Sequence, residues 1–276
     1  MKRRLTLGKC VYWGIAVLWL IATIFPLYFT FISSFKDNRK IFQDFLVPPV
    51  HPTLENYVMA EKMADIFHAT INSLAVSLSA IAIMLVVCLM AAYVVARKKV
   101  PFSGFFSLLF IAALMIPVQS AIVPIVQMIS GLGLKDKLWV LTIVYAGLNM
   151  ALVFFILKNS IESLSPELDE AATIDGCNLL QVVFLIIAPV SKPALATCGI
   201  ITFLFTYNEL AIANVLIESR ELRTVSVALL SFKGDFGILY SVIFAAVIIS
   251  LIPTVTFYLL AQEKVEKSIV SGMLKG

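Results

Sequence analysis

Charged residues are scarce in this 276-residue sequence: Asp, Glu, Lys and Arg make up 14% of it, whereas hydrophobic residues make up 61%. Soluble domains carry roughly a quarter charged residues, so the composition excludes an ordinary soluble fold. Cysteine is scarce as well. The four cysteines are scattered and show neither a disulfide framework nor the spacing of a metal site: Cys10, Cys88, Cys177 and Cys198.

Histidine and the usual catalytic motifs are also missing. The sequence holds only two histidines, His51 and His68. It has no H-E-x-x-H, no G-x-S-x-G and no glycine-rich loop followed by Lys and Ser or Thr. We therefore expect no enzyme, and no metal, cofactor or nucleic acid bound by this chain. Any ATP-driven activity would take its energy from a partner.

Long uncharged runs are what the sequence has in place of charge. Each is near or above the roughly 20 residues that a helix needs to cross the hydrocarbon core. Five of the runs contain no charged residue: 10–35, 66–96, 100–134, 138–157 and 236–262. A sixth run, 193–217, contains one charged residue, Glu209. The runs predict an all-α integral membrane protein with six transmembrane helices and both termini on the same side.

The distribution of Lys and Arg favours a cytoplasmic position for both termini. With the N-terminus inside, the inner segments hold twelve of the 21 basic residues, a modest positive-inside bias. No convincing cleavage site follows the basic start, so the first helix is expected to be retained. We predict a single transmembrane domain, 1–276, with an outer loop at 36–65, an inner loop at 159–192 and a cytoplasmic tail at 263–276.

Two proline-containing segments carry further predictions. The run "VPPVHPT" at 47–53 blocks helix formation and predicts an extended or turning stretch, either a docking surface or a stiff connector. Pro117 and Pro124 predict that the third helix is kinked or interrupted. This helix would line a pathway with Gln119, or it would simply pack inside the protein. On the second helix Ser73, Ser77, Ala80 and Met84 share one face and predict a tight helix contact, with Ala75, Ser79 and Ala82 beside them.

An acidic block lies between the fourth and fifth spans. Four acids fall within nine positions: Glu167, Asp169, Glu170 and Asp175. Ser165 is a good N-cap, Pro166 suits the first helical position and Gly176 is a natural stop, which predicts a helix of about three turns outside the bilayer. Asn178 and Gln181 have capping-box spacing and predict a second helix.

The first of these helices has the pattern of a docking element. Leu168, Ala171 and Ala172 form an apolar patch, and Glu167, Glu170 and Asp175 are free to present charge. Small alanines let another protein approach closely. The alternative is a solvated connector.

The stretch "EAATIDGCNLLQVVFLIIAP" resembles the cytoplasmic motif of the permease subunits of ABC importers. The residues that match at the family's spacing are Glu170, Ala171, Ala172, Gly176, Ile186 and Pro189. Two positions depart from the family's motif. Cys177 stands where a small alanine is common, and Ala188 stands where Leu usually precedes the proline. The stretches "ENYVMA", "NSLAVS", "AAYVVAR", "YNELAIA" and the ending "SGMLKG" are similar to the carbohydrate-importing branch, and the ending to its second permease subunit.

This resemblance implies a set of partners in a prokaryotic cell membrane. They are a second, different permease, two ATP-binding subunits that hold ATP and Mg, an external solute-binding protein and a carbohydrate. The motif, with Asp175, would couple the chain to the ATPase, and Gly272, Lys275 and Gly276 in the tail would reach the ATPase dimer. Transport would proceed by alternating access.

Glu209 is the one ionisable residue predicted well inside a span, which makes it a functional candidate. The candidate substrate pathway comprises Tyr207, Asn208, Glu209, Asn214, Asn149 and Gln119. These residues would bind sugar or serve as contacts between helices. An alternative is an ion-gradient-driven secondary carrier that uses Glu209, although the sequence shows no internal repeat. A third possibility is a scaffold that recruits a partner without transport.

Overall fold

The computed structural model of the protein describes residues 7–97, 100–234 and 237–273, which are largely helical. The helices are α1 Leu7–Ser33, α2 Glu55–Ala64, α3 Ile66–Ala96, α4 Ser103–Met115, α5 Val118–Gly131, α6 Leu138–Glu162, α7 Glu167–Ile174, α8 Leu179–Val190, α9 Lys192–Tyr207, α10 Ala211–Leu216, α11 Val225–Ala228 and α12 Tyr240–Met273. Short 3-10 turns lie at Asn38–Lys40, Arg220–Leu222 and Leu229–Phe232. The strands β1 Lys233–Gly234 and β2 Gly237–Ile238 pair antiparallel, with Lys233 opposite Ile238.

Candidate membrane spans overlap all six predicted runs, although the span that joins α8 to α9 begins at Leu179, inside the predicted inner loop. Among the described residues, four helices are long and apolar enough to cross a membrane: α1, α3, α6 and α12. Two further pairs pass the same test although each is sharply bent, by 98° between α4 and α5 and by 82° between α8 and α9. Counting each bent pair as one span gives six, and the all-α membrane fold is confirmed.

The bend between α4 and α5 is explained by Pro117. Helix α4 ends at Met115, and Ile116 adopts an extended conformation with ψ 116°. A residue before proline is pushed out of the helical region, and proline has no N–H to continue the ladder. The predicted interruption is confirmed, whereas Pro124 lies inside α5 and does not end it.

The fifth span differs from the continuous run predicted at 193–217. Helix α9 ends at Tyr207, and Asn208 turns its side-chain amide back to donate to the carbonyl of Leu204 at 2.8 Å. Residues 208–210 are therefore outside any helix, and Glu209 does not lie inside a helical span as predicted. In α8, Val182–Ile187 forms a π-helical turn just before Pro189, whose missing N–H removes a normal helical donor.

The first of two compact units comprises 1–67 and 229–251. Its loop after α1 is held by Asn56, whose amide donates to the carbonyls of Ser34 and Lys36 at 2.8 and 2.9 Å. The amino group of Lys36 donates to the Asp44 carbonyl at 2.6 Å, and burial lowers its pKa. The "VPPVHPT" stretch has no helix, as predicted, and lines a cavity of about 280 Å³.

The second unit comprises 68–228 and 252–276 and contains an extended apolar core. The predicted contact face of α3 is buried at all four positions: Ser73, Ser77, Ala80 and Met84. The neighbouring small residues Ala75, Ser79 and Ala82 are exposed. Phe110 stacks on Phe154 with ring centroids 4.0 Å apart, which fastens α4 to α6. This core provides the support on which α7 lies.

Candidate functional site

Helix α7 is the element that the acidic block forms. It has eight residues, about two turns rather than the predicted three. It begins at Glu167 with Pro166 in the capping position, so the assignment of Ser165 as N-cap is wrong by one residue. Ser165 still contributes, because its hydroxyl accepts the Glu167 N–H at 3.3 Å. Three acids in the first turn, Glu167, Asp169 and Glu170, complement the positive end of the helix dipole.

A glycine elbow joins α7 to α8 as predicted. Gly176 has φ +84°, in the left-handed region where a side chain is strained. The capping box is present: the N–H of Gln181 donates to Asn178 Oδ1 at 3.0 Å, and the N–H of Asn178 donates to Gln181 Oε1 at 2.8 Å. The turn between the two helices is thus defined on both sides.

The faces of α7 differ from the prediction. Ala172 is 4% exposed and packs into the core of its own unit, so the expectation that it presents a flat surface to a partner is wrong. Asp169 also turns inward, at 8% exposed. The outward face carries Glu170, Ala171 and Ile174, of which Ile174 is 85% exposed. Sequence reasoning missed Ile174, whose combination of size, apolarity and exposure is typical of an anchor for a partner.

Asp169 is held from behind by two residues at the end of α3, and we call Tyr93, Arg97 and Asp169 the inner clamp. The hydroxyl of Tyr93 donates to Asp169 Oδ1 at 2.5 Å. Arg97 Nε lies 2.7 Å from Asp169 Oδ2, and the two side chains are only 10% and 11% exposed. Arg97 also donates through Nη1 to the Leu164 carbonyl at 3.2 Å. The only sequence signal was a Tyr and an Arg four residues apart where an uncharged run ends.

An open cleft of about 440 Å³ lies beside α7. It is lined by Arg97, Pro166, Asp169, Glu170, Thr173 and Ile174. A partner side chain inserted here would meet the outer edge of the inner clamp and the exposed acid Glu170. The cleft and the outward face of α7 together form a surface with both apolar and acidic character.

The remaining predicted coupling residues support the loop rather than form one patch. Ile186 is half-buried in the π-helical turn of α8, and it packs against the core. Asp175, Gly176 and Pro189 are exposed. Of the predicted tail contacts, Gly272 lies near the end of α12, and Lys275 and Gly276 lie outside the described residues.

Glu209 accepts three hydrogen bonds from its own chain. Tyr145 donates its hydroxyl to Oε2 at 2.6 Å, and the backbone N–H groups of Ile212 and Ala213 donate to the carboxylate at 2.8 and 3.0 Å. Asn149 lies one turn along α6 and donates to the Tyr145 carbonyl at 2.9 Å. The Glu209 carboxylate thus caps the first turn of α10 and links α10 to α6.

The other pathway candidates differ in their exposure. Tyr207 is buried and stacks on Phe203, with ring centroids 5.2 Å apart. Asn208 and Asn214 are exposed, and Gln119 is exposed in the first turn of α5. Exposed amides are suitable hydrogen-bonding groups for a polar ligand, so Asn208, Asn214 and Gln119 remain candidates on this ground.

Another acidic residue, Asp136, organises the loops at the end of α6 that lies away from α7. Its carboxylate accepts the N–H groups of Glu218 and Ser219 at 3.0 and 2.9 Å, and it also accepts the Ser219 hydroxyl. These hydrogen bonds, the Ser219 hydroxyl first, lower the pKa of Asp136. We call Asp136, Glu218 and Ser219 the loop clamp. Lys135 adds an exposed ion pair to Glu218 at 2.8 Å.

Comparison with known sequences gives a match over most of the chain. Residues 84–271 match the family described as "Binding-protein-dependent transport system inner membrane component". The chain is 32% identical over 275 residues to "Probable ABC transporter permease protein YurM" of Bacillus subtilis (strain 168), covering 100% of this chain and 91% of that protein. It is 27% identical over 274 residues to "Sulfoquinovosyl glycerol transport system permease protein SmoH" of Agrobacterium fabrum (strain C58), covering 98% and 95%.

A solved structure has the same fold. It is the crystal structure of a bacterial ABC transporter involved in the import of the acidic polysaccharide alginate, and one of its chains matches with a TM-score of 0.84. The match covers 95% of this chain and 98% of that chain at 20% identity. At this identity the likeness establishes the arrangement of helices and nothing about the ligand.

Proposed function

The chain belongs to the family of inner membrane components of binding-protein-dependent transport systems, and on that premise we propose that it imports a sugar or oligosaccharide as one subunit of an ATP-driven complex. One observation carries this proposal: α7 is a short helix outside the candidate spans, anchored from behind and exposing Glu170, Ala171 and Ile174. The name of the Agrobacterium relative, a permease for a sugar glycoside, supports a carbohydrate as cargo.

The outward face of α7 would dock on an ATP-binding subunit. Ile174 offers a large apolar side chain that is 85% exposed, and Glu170 offers a charge beside it. An apolar anchor surrounded by charged groups is the pattern of interface hot spots, because the centre excludes water and the rim sets orientation. We expect the partner surface to be an apolar pocket with basic residues at its edge. The tail residues Gly272, Lys275 and Gly276 would make a second contact.

ATP and Mg would be held by two such partner subunits. Their closure on ATP would displace α7, and the chain would re-orient its spans by alternating access. This requires ATP to bind one arrangement of the complex more tightly, since a ligand shifts an equilibrium only through differential affinity. Both termini and α7 would face the cytoplasm of a prokaryotic cell, and 1–276 would act as a single permease domain.

The outer side would receive the cargo from a solute-binding protein, and a second permease would complete the pathway. The segment 36–65 would face outward, and its cavity beside the "VPPVHPT" stretch is a candidate contact for that protein. Asn208 and Asn214 would offer hydrogen bonds to sugar hydroxyls. The gradient-driven carrier is not favoured, because Tyr145 and the backbone N–H groups of Ile212 and Ala213 already donate to the Glu209 carboxylate and tie it to α6 and α10.

The docking role is tested with a photoreactive phenylalanine derivative at Ile174 in native membranes. We expect light-dependent capture of an ATP-binding subunit, identified by mass spectrometry. The same group at Phe102, an exposed residue just before α4, serves as the matched control and should capture no such subunit. Failure of the Ile174 probe to capture the ATP-binding subunit, in an inserted and photoreactive chain, would remove the proposed dock.

The cargo is tested by uptake into cells that express the complete transporter. The compounds are sulfoquinovosyl glycerol, maltodextrins and alginate oligosaccharides, each with a radioactive label. Uptake of at least one should stop when ATP is depleted and continue when an uncoupler collapses the ion gradients. The opposite dependence would restore the secondary carrier. Transport of none of these sugars by an assembled complex would count against the carbohydrate assignment.

A further inference from the structure

We propose that Tyr93 and Arg97 are positioning residues that transmit the movement of α7 to the transmembrane helix α3 through Asp169. The inference rests on the proposed function, in which α7 is the element that the ATP-binding subunit moves. It concerns a different set of residues from the outward face that makes the contact. The three side chains of the inner clamp are joined by contacts of 2.5 and 2.7 Å.

Arg97 contacts both α7 and the segment that leads into it. Its Nε lies against Asp169 in the first turn of α7, and its Nη1 donates to the carbonyl of Leu164, which precedes the helix. A planar guanidinium presents its donors in a fixed fork, so both contacts depend on one orientation of the group. Lysine, with a single ammonium, would keep the charge without this double attachment.

The inner clamp leads directly into a candidate membrane span. Arg97 follows the last residue of α3, and its N–H donates to the carbonyl of Tyr93 one turn earlier at 3.0 Å. Both residues that hold Asp169 therefore belong to the same helix end. A displacement of α7 would be carried into α3 by the Tyr93 hydrogen bond and the Arg97 ion pair instead of being absorbed by the loop.

Electrostatics explains why the attachment is specific. Buried ion pairs add little net stability compared with apolar packing, but they require defined partners in a defined geometry. Apolar contact of Ala172 with the core would hold α7 close without fixing its rotation. The inner clamp adds the directional component. Loss of the clamp would leave the outward face intact and the docked helix loosely attached.

The experiment separates docking from transmission in the complete reconstituted transporter. A reporter cysteine replaces Ala211, which is exposed two residues from Glu209, and a membrane-impermeant maleimide measures its accessibility. Labelling is compared with and without MgATP and vanadate, which trap the closed ATP-binding subunits. The chain without the reporter gives the background. We expect trapping to change the labelling rate of the otherwise unmodified chain at least tenfold.

Asp169→Asn should reduce this response at least fivefold while the same amount of ATP-binding subunit copurifies. Tyr93→Phe, which removes one hydroxyl, should reduce it two- to threefold. Glu162→Gln is the matched control, because Glu162 forms an ion pair with Lys158 at the same 2.7 Å on α6 and should leave the response unchanged. The charge exchange Arg97→Asp with Asp169→Arg should recover part of the response.

A merely structural role would lower assembly and the response together, and none of the variants would separate them. A full response in both Asp169→Asn and Tyr93→Phe would overturn the inference. So would an assembled charge-exchange variant without recovery; if that variant does not assemble, Tyr93→Phe decides. Absence of any ATP-binding subunit from the otherwise unmodified preparation would instead overturn the proposed function.

Discussion

Asp169 and Asp136 each hold a connecting segment beyond one end of α6, and they do so by different means. Helix α6 has 25 residues and is therefore roughly 37 Å long, enough to cross a hydrocarbon core of about 30 Å. At one end Asp169 is buried against Arg97 and the Tyr93 hydroxyl. At the other end the Asp136 carboxylate accepts hydrogen bonds from two backbone N–H groups and one serine hydroxyl. No cationic side chain among the described residues forms an ion pair with it.

The difference follows from solvent access. A carboxylate withdrawn from water needs a counter-charge or several donors, because an unpaired buried charge is very costly. A carboxylate at a half-exposed loop is still solvated and can be held by dipoles alone. Removal of one partner from the inner clamp should therefore lower the free energy of unfolding strongly. Removal of one partner from the loop clamp should lower it less.

The largest expected effect is that of Asp169→Leu, because it leaves Arg97 buried without its counter-ion. Removing one partner of a buried pair costs about 3–5 kcal/mol of the free energy of unfolding. The double variant Asp169→Leu with Arg97→Met should recover most of this loss, since neither charge is then left buried. Chemical unfolding of the detergent-solubilised chain measures all three. A double variant as unstable as the single one would show that the inner clamp is not governed by charge pairing.

The loop clamp should lose about 2 kcal/mol when Asp136 is replaced by Ala. Its hydrogen bonds contribute about 1 kcal/mol each before allowance for solvent, and Asp136 itself has φ +60°, where Ala is less well accommodated than Asp or Asn. Asp136→Asn keeps an acceptor oxygen and tolerates this conformation, so it should cost about half as much. The same unfolding measurement applies. A loss as large as that of Asp169→Leu would erase the proposed difference between the clamps.

The sequence predicted the elements at both ends of α6 better than their contacts. Uncharged runs located the spans, Pro117 located a bend, and the Asn178–Gln181 spacing located a capping box, because each signal is local. Tyr93 and Asp169 are 76 positions apart, and no local pattern pairs them.

The inward and outward faces of α7 were equally hidden from sequence reasoning. Ala171 and Ala172 are chemically identical, and only packing against the core decides that Ala172 is buried. Glu209 was misplaced because a hydrophobic run averages over a short helix break. Its capping of α10 depends on the backbone positions of Ile212 and Ala213 after folding. The unpredicted features are therefore those that tertiary contacts determine.

Replacing the glycine beside each clamp by Ala should lower the free energy of unfolding by a smaller amount, and the loss should be equal at the two positions. Gly176 follows α7 with φ +84°, and Gly133 precedes the loop clamp with φ +65°. An added Cβ would meet nothing within 4 Å at either position, so the cost of Ala comes from the left-handed conformation alone, about 1 kcal/mol.

Gly147 is the matched control for these two glycines. It lies within α6, where an added Cβ also meets nothing within 4 Å, and Gly147→Ala should stabilise by about 0.5–1 kcal/mol. Unfolding of the three single variants tests the signs. A stabilising Gly176→Ala would contradict the description of the elbow.

The smallest expected effect is a pH dependence of the stability that the loop clamp contributes. Hydrogen bonds from Ser219 lower the folded-state pKa of Asp136 below its ordinary value of 3.8. A carboxylate whose pKa is depressed by folding contributes stability above its unfolded pKa and loses that contribution as the pH falls through the folded pKa. The difference in the free energy of unfolding between the unmodified chain and Asp136→Asn should therefore be constant from pH 5 to 8, and it should shrink below about pH 4.

Ser219→Ala removes the largest cause of the depressed pKa, so in that background the same difference should depend less on pH. A difference between the unmodified chain and Asp136→Asn that grows on acidification would mean that folding raises the pKa of Asp136, and the contrast between a solvated clamp and a buried one would lose its basis.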